Sequence, residues 1–423
     1  MKLLLKNPVI IGYDENFKDF YRSDILIVND KIEKVYPNIE IHDADIVIDA
    51  EKYIAIPGLV NAHTHCGQTV LRSYADDLPF NEWLFDRVFP LESKLNQQIV
   101  YYSSLLGIAE MIKSGTTLFF DMYFYEDMTA KAVSETGIRA VLSRGLQTDE
   151  NEHKRIEETL KLIQDYSSDR IKIFFGPHSI YTCSTELLEN VSKLAFDYNT
   201  GIMIHVSESE NEVNECFERH DCSPVKYLSD LGIFDSPTVA AHCVYVDNDD
   251  IDILNRKCVT VAYNPTSNLK LGNGFAPIYS MIQSGINVAI GTDSAASNNN
   301  LNMIEEMHIA SLLEKGLYKL PNIMNASQIL KMATFNGAYA SLFENIGLIK
   351  EGYKADIVLI DNESLNMMPN FNPISNIVYS ANPENIKTVI CNGKILYKDG
   401  KLTTIDEEGL KKEIKDIMKY LNE

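Results

Sequence analysis

Short apolar runs alternate with helical patterns through the middle of the chain. We count about eight such runs, which begin near Ile54, Thr117, Ile138, Ile171, Gly201, Thr238, Val259 and Ile286. Helical patterns separate them, in segments such as Val100–Lys113, Ile156–Asp165, Glu186–Tyr198 and Ile278–Ser284. This alternation predicts an α/β protein with a (β/α)8 TIM-type barrel. A doubly wound open sheet is the competing fold, but no G-x-G-x-x-G follows the first strand and no G-x-x-x-x-G-K-[ST] appears.

The two ends of the chain share a different pattern, in which short β-rich runs flank tight turns. One hairpin signal lies within Asp24–Val35 around Asn29-Asp30, and another turns at Asn392-Gly393. We expect both ends to form one small β-sandwich domain, with the middle of the chain inserted into it. The expected divisions are residues 1–57 and 346–423 for the small domain and 58–345 for the barrel. Residues 407–422 predict an exposed terminal helix.

Composition narrows the range of partners. The 423 residues include 38 Lys and Arg against 60 Asp and Glu, a net charge of −22 that disfavours binding to nucleic-acid phosphates. We find no apolar stretch of about 18 residues and no signal-peptide pattern, so we predict no membrane partner. Seven scattered cysteines without a Cys-x-x-Cys pair argue against a disulfide framework and favour the cytoplasm. Homo-oligomerisation stays open.

Polar residues that can bind metals end several of the predicted strands. The set consists of His63, His65, His205, His242 and Asp293. Because strand ends of a barrel face one mouth, these side chains are expected to converge there. Histidine and carboxylate ligands suit a divalent transition metal such as zinc, iron or nickel. Such an ion lowers the pKa of bound water from about 15.7 toward about 7.

Each of these residues also has a simpler interpretation. A single histidine on an apolar run is more often a hydrogen-bonded core residue, and only the recurrence at strand ends favours a metal site. Glu208 follows His205 by three residues and is a candidate proton carrier. It is equally explained as a solvated acid in a polar loop.

Two motifs resemble those of the amidohydrolase superfamily. Residues Pro57–His65 read P-G-L-V-N-A-H-T-H, which resembles the opening metal motif, and Gly347–Val358 resembles the exit into the small β domain. The chain is most similar to the 5-methylthioadenosine/S-adenosylhomocysteine deaminase family, over nearly its whole length. The similarity is strongest at His63–Glu92, Gly176–Ser179, His205–Glu208, Asn264–Gly274 and Gly291–Asn299.

The resemblance implies a single metal ion bound by His63, His65, His205 and Asp293, with zinc the first choice. Relatives with two metals use a carboxylated lysine at the end of the fourth strand, whereas Lys172 lies near its start. The resemblance further implies that Glu208 protonates the substrate ring and that His242 orients the attacking water. Asp293 would accept the water's proton and later pass one to the departing ammonia.

Substrate contacts are also implied by the resemblance. Trp83 and Glu92 match the ribose side of the nucleoside, and His178 matches a contact to the purine ring. Arg144 and Arg155 match the pair that receives the amino-acid carboxylate of S-adenosylhomocysteine. Trp83 is alternatively a core aromatic, and Arg155 alternatively pairs with Glu158 on one helix.

The expected function is hydrolytic deamination of a 5′-modified adenosine to the inosine analogue and ammonia. The candidate substrates are methylthioadenosine, S-adenosylhomocysteine, 5′-deoxyadenosine and adenosine. A related amidohydrolase acting on guanine, a pterin or a chlorinated triazine is the first alternative. A catalytically silent scaffold is the second. Cys66 and Gln68 stand where relatives more often carry small or apolar residues, so the 5′ pocket stays unassigned.

Overall fold

The structure, a computed structural model, describes residues 1–422. Its strands are β1 (Lys2–Lys6), β2 (Val9–Ile11), β3 (Phe20–Arg22), β4 (Asp24–Val28), β5 (Lys31–Tyr36), β6 (Ile46–Asp49), β7 (Tyr53–Pro57), β8 (Leu59–Thr64), β9 (Thr116–Tyr123), β10 (Arg139–Leu146), β11 (Ile171–Pro177), β12 (Ile202–Val206), β13 (Thr238–His242), β14 (Thr260–Tyr263), β15 (Asn287–Ile290), β16 (Ile357–Asp361), β17 (Ile386–Cys391), β18 (Lys394–Lys398) and β19 (Lys401–Leu402).

Helices fill the connections between most of these strands. They are α1 (Phe89–Glu92), α2 (Gln97–Lys113), α3 (Glu126–Thr136), α4 (Glu152–Tyr166), α5 (Thr185–Asp197), α6 (Glu210–His220), α7 (Pro224–Asp230), α8 (Asn248–Arg256), α9 (Pro265–Lys270), α10 (Ile278–Gln283), α11 (Met303–Tyr318), α12 (Ala326–Met332), α13 (Phe335–Ala340), α14 (Pro373–Tyr379) and α15 (Glu407–Asn422). A π-helical segment over Glu82–Val88 precedes α1.

The predicted barrel is confirmed. Strands β8 to β15 form one eight-stranded parallel sheet in sequence order, with helices in the connections. The sheet closes where the amide of Asp293 donates to the carbonyl of His63 at 2.9 Å. Gly291 permits this approach, because a Cβ there would lie 2.8 Å from the backbone nitrogen of His63. Buried side chains such as Phe120 and Phe174 fill the barrel interior, so it is a packed core.

The predicted small β domain built from both termini is also confirmed. A seven-stranded sheet runs β19-β18-β17-β16-β7-β2-β3 and so interleaves strands from the two ends. A four-stranded sheet, β5-β4-β1-β6, comes from the N-terminal part alone. Residues such as Leu5 and Ile27 of one sheet are buried together with Ile357 and Leu359 of the other, which forms the sandwich core. The exact divisions at residues 57/58 and 345/346 stay a prediction.

One sequence expectation needs correction. The run Ile54–His65 was expected to be one barrel strand, but Gly58 divides it into β7, in the terminal sheet, and β8, in the barrel. The terminal helix α15 is largely exposed, as expected. One face of it buries Leu410, Ile417 and Leu421, and Glu407 accepts a hydrogen bond from Lys113 of α2 at 2.9 Å. An apolar stripe on a helix is buried in this way whenever a neighbouring surface is available.

None of the helices in residues 1–422 combines the length and the apolar character needed to span a bilayer.

Candidate metal centre and active site

Four imidazoles and one carboxylate meet at the carboxyl-end mouth of the barrel. His63 lies in β8, His205 in β12 and His242 at the end of β13, while His65 and Asp293 follow their strands. Ligand atoms of His63, His65 and Asp293 all lie within 4.8 Å of one another, and those of His63, His205 and His242 do the same. The structure therefore brings together every residue of the predicted metal set.

Two of these imidazoles are oriented by backbone carbonyls. Nδ1 of His65 faces the carbonyl of Met122 at 2.6 Å, and Nδ1 of His205 faces the carbonyl of His178 at 2.8 Å. Since a carbonyl oxygen only accepts, Nδ1 carries the proton in each ring. The lone pairs on the Nε2 atoms then face the centre, where the Nε2 atoms of His65 and His205 are 3.3 Å apart. Such partners fix the tautomer of a metal ligand.

The two carboxylate oxygens of Asp293 have different partners. Oδ1 lies 3.2 Å from Nε2 of His65 and 3.5 Å from Nε2 of His63. Oδ2 accepts hydrogen bonds from the hydroxyls of Ser267 at 2.6 Å and Ser297 at 2.8 Å. Its backbone adopts a left-handed φ of +61°, an unfavourable conformation typical of functional sites. The carboxylate is thus held with one oxygen directed at the imidazoles.

His63 tests whether a metal ion suits these residues. Its ring is fully buried, and neither of its nitrogens has a hydrogen-bond partner among the described residues. A buried polar atom without a partner is costly and calls for an explanation. A cation at the shared centre supplies one, because a neutral imidazole and the Asp293 carboxylate are both metal ligands. The residues present therefore fit a divalent ion.

The protonation states of His63 and His205 support this interpretation. Burial lowers the pKa of His63 to about 4 and holds that of His205 well below its ordinary value, so both rings are neutral near pH 7. Burial also opposes protonation of His65, but the hydrogen bond and charge of Asp293 outweigh it and raise the pKa to about 9. Without a metal ion, the proton on His65 balances the negative charge of the Asp293 carboxylate. A bound cation would balance the same charge and take the place of that proton.

Glu208 lies beside His242 at the edge of this centre. Oε2 of Glu208 is 3.8 Å from Nε2 of His242, and Oε1 accepts from the Asn273 amide at 2.9 Å. Glu208 is 6% exposed, so the alternative of a solvated acid in a polar loop does not describe it. Burial raises its pKa, which favours the protonated form that a general acid requires.

A cavity opens over these residues and is lined by Glu208, His242, Asp293, Trp83 and Glu92. The indole nitrogen of Trp83 has no partner among the described residues. Oε1 of Glu92 accepts from the Gln68 amide at 2.7 Å and the Tyr123 hydroxyl at 2.6 Å. Burial raises the pKa of Glu92, although both hydrogen bonds oppose the rise.

His178 follows β11 and lines the same cavity. Its ring centre is 4.7 Å from that of His205. Nδ1 lies 3.0 Å from the hydroxyl of Thr182 and 3.2 Å from that of Ser179. Burial lowers the pKa of His178 to about 3, so the ring is neutral.

The two predicted substrate arginines are placed differently, since neither lines the cavity. Nε of Arg144 lies 2.7 Å from Oε2 of Glu158. Arg155 contacts both carboxylate oxygens of Asp149 at 2.6 Å. Glu158 therefore forms an ion pair with Arg144, whereas the alternative drawn from the sequence paired Glu158 with Arg155.

Several residues that shape the site were not singled out by the sequence. Asn268 and Asn273 contact His242 and Glu208, and Ser267 and Ser297 contact Asp293. All four fall within Asn264–Gly274 or Gly291–Asn299, two segments of strong family resemblance. The sequence therefore indicated the segments but not the individual residues. Amide and hydroxyl side chains are common in loops, and their hydrogen-bond partners are known only from the folded structure.

Comparisons with known proteins agree with this geometry. A relative from Caldicellulosiruptor saccharolyticus, named 5-methylthioadenosine/S-adenosylhomocysteine deaminase, is 63% identical over 428 residues, which cover 100% of this chain and 99% of its own. A 5′-deoxyadenosine deaminase from Methanobrevibacter smithii is 45% identical, over 100% and 98% of the two chains.

A solved structure and a family profile are also similar to this chain. An adenosine deaminase from Xanthomonas campestris, solved with bound zinc, superimposes with a TM-score of 0.96 at 28% identity, over 99% of this chain and 98% of its own. The profile described as the amidohydrolase family matches residues 54–396. With most of its length matched and full-length relatives well above 30% identity, this chain belongs to the amidohydrolase family.

Proposed function

We propose that the protein is a metal-dependent hydrolase that deaminates 5′-modified adenosines to the inosine analogue and ammonia. The observation that carries this proposal is the grouping of Glu208 and His242, 3.8 Å apart, beside the cluster of His63, His65 and Asp293. The names of the two relatives support the nucleoside substrate. The metal cluster with an adjacent buried acid supports hydrolysis.

We propose that one divalent ion, zinc in the first instance, is held by His63, His65, His205 and Asp293. Zinc in the similar Xanthomonas campestris structure supports that choice. The partnerless ring of His63 and the inward Nε2 atoms of the other imidazoles support the donor set. When bound, such an ion supplies Lewis acidity that makes water nucleophilic near neutral pH.

The residues of the chain then divide the proton transfers. Attack of water on the amino-bearing carbon interrupts the aromaticity of the purine, so the neighbouring ring nitrogen must gain a proton. Glu208, with its raised pKa, donates that proton. Nε2 of His242 orients the attacking water. Asp293 accepts one proton of the water through Oδ1 and passes it to the amine, so that the C–N bond breaks and ammonia leaves. The remaining hydroxyl proton returns to Glu208 as the carbonyl of the inosine analogue forms, which restores the acid.

Substrate positioning belongs to the cavity walls. Glu92 is held by Gln68 and Tyr123 through Oε1, which leaves the carboxylate directed as an acceptor for the two ribose hydroxyls. The unsatisfied indole nitrogen of Trp83 is a further donor on the ribose side. The neutral ring of His178 contacts the purine.

Ammonia release tests the proposal. The zinc-loaded enzyme is assayed with adenosine, 5′-deoxyadenosine, methylthioadenosine and S-adenosylhomocysteine. We expect release from at least one, and we expect Glu208→Gln to abolish most of it. Glu210→Gln is the matched control, because Glu210 lies two residues further along, at the start of α6, and is exposed. Near-normal turnover by Glu208→Gln would show that another group supplies the proton.

Other results of these assays would favour an alternative substrate or a catalytically silent scaffold. Turnover of guanine, a pterin or a chlorinated triazine without any nucleoside turnover would replace the proposed substrate. A purified chain that holds no metal and takes none up would indicate a silent scaffold. Elemental analysis of the active enzyme distinguishes zinc from iron and nickel.

A further inference from the structure

Two carboxyl groups lie buried beside the turn that carries His65 and take no part in the proposed proton transfers. Asp121 lies in β9, and Glu126 is the first residue of α3. Their exposed fractions are 0% and 1%. Burial of an acid is costly unless a proton, a hydrogen bond or an opposite charge compensates it. This pair therefore calls for an explanation in terms of its partners.

Asp121 holds the backbone on both sides of His65. Its Oδ1 accepts hydrogen bonds from the backbone N–H of Cys66 and the hydroxyl of Thr64, both at 2.6 Å. The carbonyl of Met122, the next residue of β9, faces Nδ1 of His65 at 2.6 Å. This part of β9 therefore fixes both the path of the chain around His65 and the tautomer of its ring.

Glu126 holds Tyr123. Its Oε1 accepts the backbone N–H of Tyr123 at 3.0 Å, and the Tyr123 hydroxyl donates to Glu92 at 2.6 Å. The Tyr123 ring also packs against the turn after His65, because a Cβ at Gly67 would lie 2.0 Å from it. Glu126 is thus connected through Tyr123 to the proposed acceptor of the ribose hydroxyls.

The remaining oxygens of the two acids belong to one hydrogen bond. Neither Oδ2 of Asp121 nor Oε2 of Glu126 has an N–H or O–H donor at hydrogen-bond distance among the described residues. The two carboxyl groups instead hydrogen-bond to each other, which requires a proton between them. Burial and the charge of Asp121 raise the pKa of Glu126 well above its ordinary value. The hydrogen bonds from Thr64 and Cys66 favour the ionised form of Asp121, so Glu126 carries the proton.

From these contacts, and resting on the proposed function, we infer that Asp121 and Glu126 share one proton and together position the metal ligand His65 and the ribose acceptor Glu92. Neither acid lines the cavity. The pair therefore acts on the reaction only through the residues that it holds.

A single shared proton makes the pair tolerant of one amide but not of two. Asn at position 121 would donate to Glu126, which then ionises, and Gln at position 126 would donate to Asp121. Each change keeps one negative charge and all of the hydrogen bonds. Amides at both positions remove that charge. They also bring two NH2 groups together, so one amide must turn and give up the N–H group that its oxygen accepts.

Zinc affinity of the full chain, measured by competition with a chromophoric chelator, tests the pair without any substrate. We expect Asp121→Asn and Glu126→Gln to stay within about three-fold of the wild type, and the double variant to bind zinc about 10- to 100-fold more weakly, as is typical when a partner of a metal ligand is lost. Such a loss is strongly non-additive. A double variant that binds zinc like the single variants would overturn the inference.

Thr64→Val keeps the test decisive if the double variant does not fold. It removes one of the two donors to Asp121 while the side chain keeps its shape. We expect zinc to bind about ten-fold more weakly. An unchanged zinc affinity in Thr64→Val would show that Asp121 does not position His65.

Steady-state kinetics at saturating zinc test the other half of the pair. Glu126→Ala should raise the KM for methylthioadenosine about ten-fold, because Tyr123 no longer directs Glu92, and kcat should change less. Glu126→Gln should restore the KM. Glu314→Ala is the matched control, since Glu314 is also buried and accepts a backbone N–H, that of Tyr279 at 3.2 Å, but does not line the cavity.

The control variant should lose thermal stability without a change in KM or in zinc affinity. Equal KM values for Glu126→Ala and Glu314→Ala would overturn the role of Glu126. Absence of ammonia from every nucleoside with the wild type would instead refute the proposed function. The zinc affinities would in that case still decide whether the pair positions His65.

Discussion

Nδ1 of His242 donates to the side-chain oxygen of Asn268, 2.8 Å away, and both residues are buried. Because an amide oxygen only accepts, Nδ1 of His242 is protonated and Nε2 carries the lone pair that faces the cavity. Asn273, from the same segment after β14, donates to Glu208 at 2.9 Å. One short segment thus sets the tautomer of the proposed water-orienting residue and the direction of the proposed acid.

Asn268→Leu should lower kcat about 10- to 100-fold, because His242 loses the partner that fixes its tautomer. Asn268→Asp keeps an acceptor and should retain more activity. The KM should change little in both variants, because Asn268 does not line the cavity. Equal kcat values for the Leu variant and the wild type would contradict this role. Far-ultraviolet circular dichroism checks that both variants fold.

Glu212→Ala should also lower kcat about 10- to 100-fold, through displacement of Glu208. The Glu212 carboxyl group accepts the backbone N–H groups of Ser207 at 3.0 Å and Glu208 at 2.8 Å. Glu212→Gln keeps one acceptor and should be intermediate. Glu215→Ala is the control, since the contacts of Glu215 on the same helix are exposed. Equal losses in the two alanine variants would mean that the effect is not specific to Glu208.

Asp293→Asn should reduce turnover by about 10²- to 10⁴-fold while the protein still folds, because the amide cannot accept the proton of the water. Ser297→Ala removes only one of the two hydroxyl donors to Asp293 and should cost much less. Ammonia release and thermal unfolding measure the two effects separately. Near-normal turnover by Asp293→Asn would show that the base has been wrongly assigned.

Removal of the metal should abolish ammonia release, and added zinc should restore it. Zinc should also raise the thermal midpoint of the chelator-treated wild type, because a ligand that binds only the folded state stabilises it. His63→Ala should bind much less metal and show little of this shift. His153→Ala is the control, since His153 is exposed on α4. Stoichiometric metal in His63→Ala would place the ion elsewhere.

Glu306 should make the folded protein less stable as the pH rises. Burial, opposed by the hydrogen bonds from Thr266 and Asn298, raises the pKa of Glu306 from 4.5 to about 8. Between these values the folded chain keeps a proton that the unfolded chain releases. The contribution of Glu306 is therefore complete below pH 4.5 and is lost as the pH rises through 8, at about 1.4 kcal/mol per pH unit.

Denaturant unfolding between pH 5.5 and 8 measures this slope. Glu306→Gln cannot titrate, so its free energy of unfolding should fall less steeply with pH than that of the wild type. Glu305→Gln is the matched control, because Glu305 lies on the same helix and is exposed. Parallel curves for the wild type and Glu306→Gln would contradict the raised pKa.

The sequence by itself determined the barrel, the sandwich of both termini and the set of candidate ligands. These follow from local signals: the periodicity of apolar residues, the turns at Asn29-Asp30 and Asn392-Gly393, and histidines that end apolar runs. The carboxyl ends of all strands in such a barrel lie at the same mouth. The convergence of His63, His205 and His242 therefore followed from their positions at strand ends.

Only the tertiary structure decided which groups pair with which. The expected division at residues 57/58 coincides with Gly58, but the pairing of β7 with β16, some 300 residues later in the chain, could not be read from the run Ile54–His65. The partners of Arg144 and Arg155 were equally hidden, because a long cationic side chain reaches several acids. Hydrogen bonds and ion pairs require specific distances between residues far apart in sequence, and those distances exist only once the chain has folded.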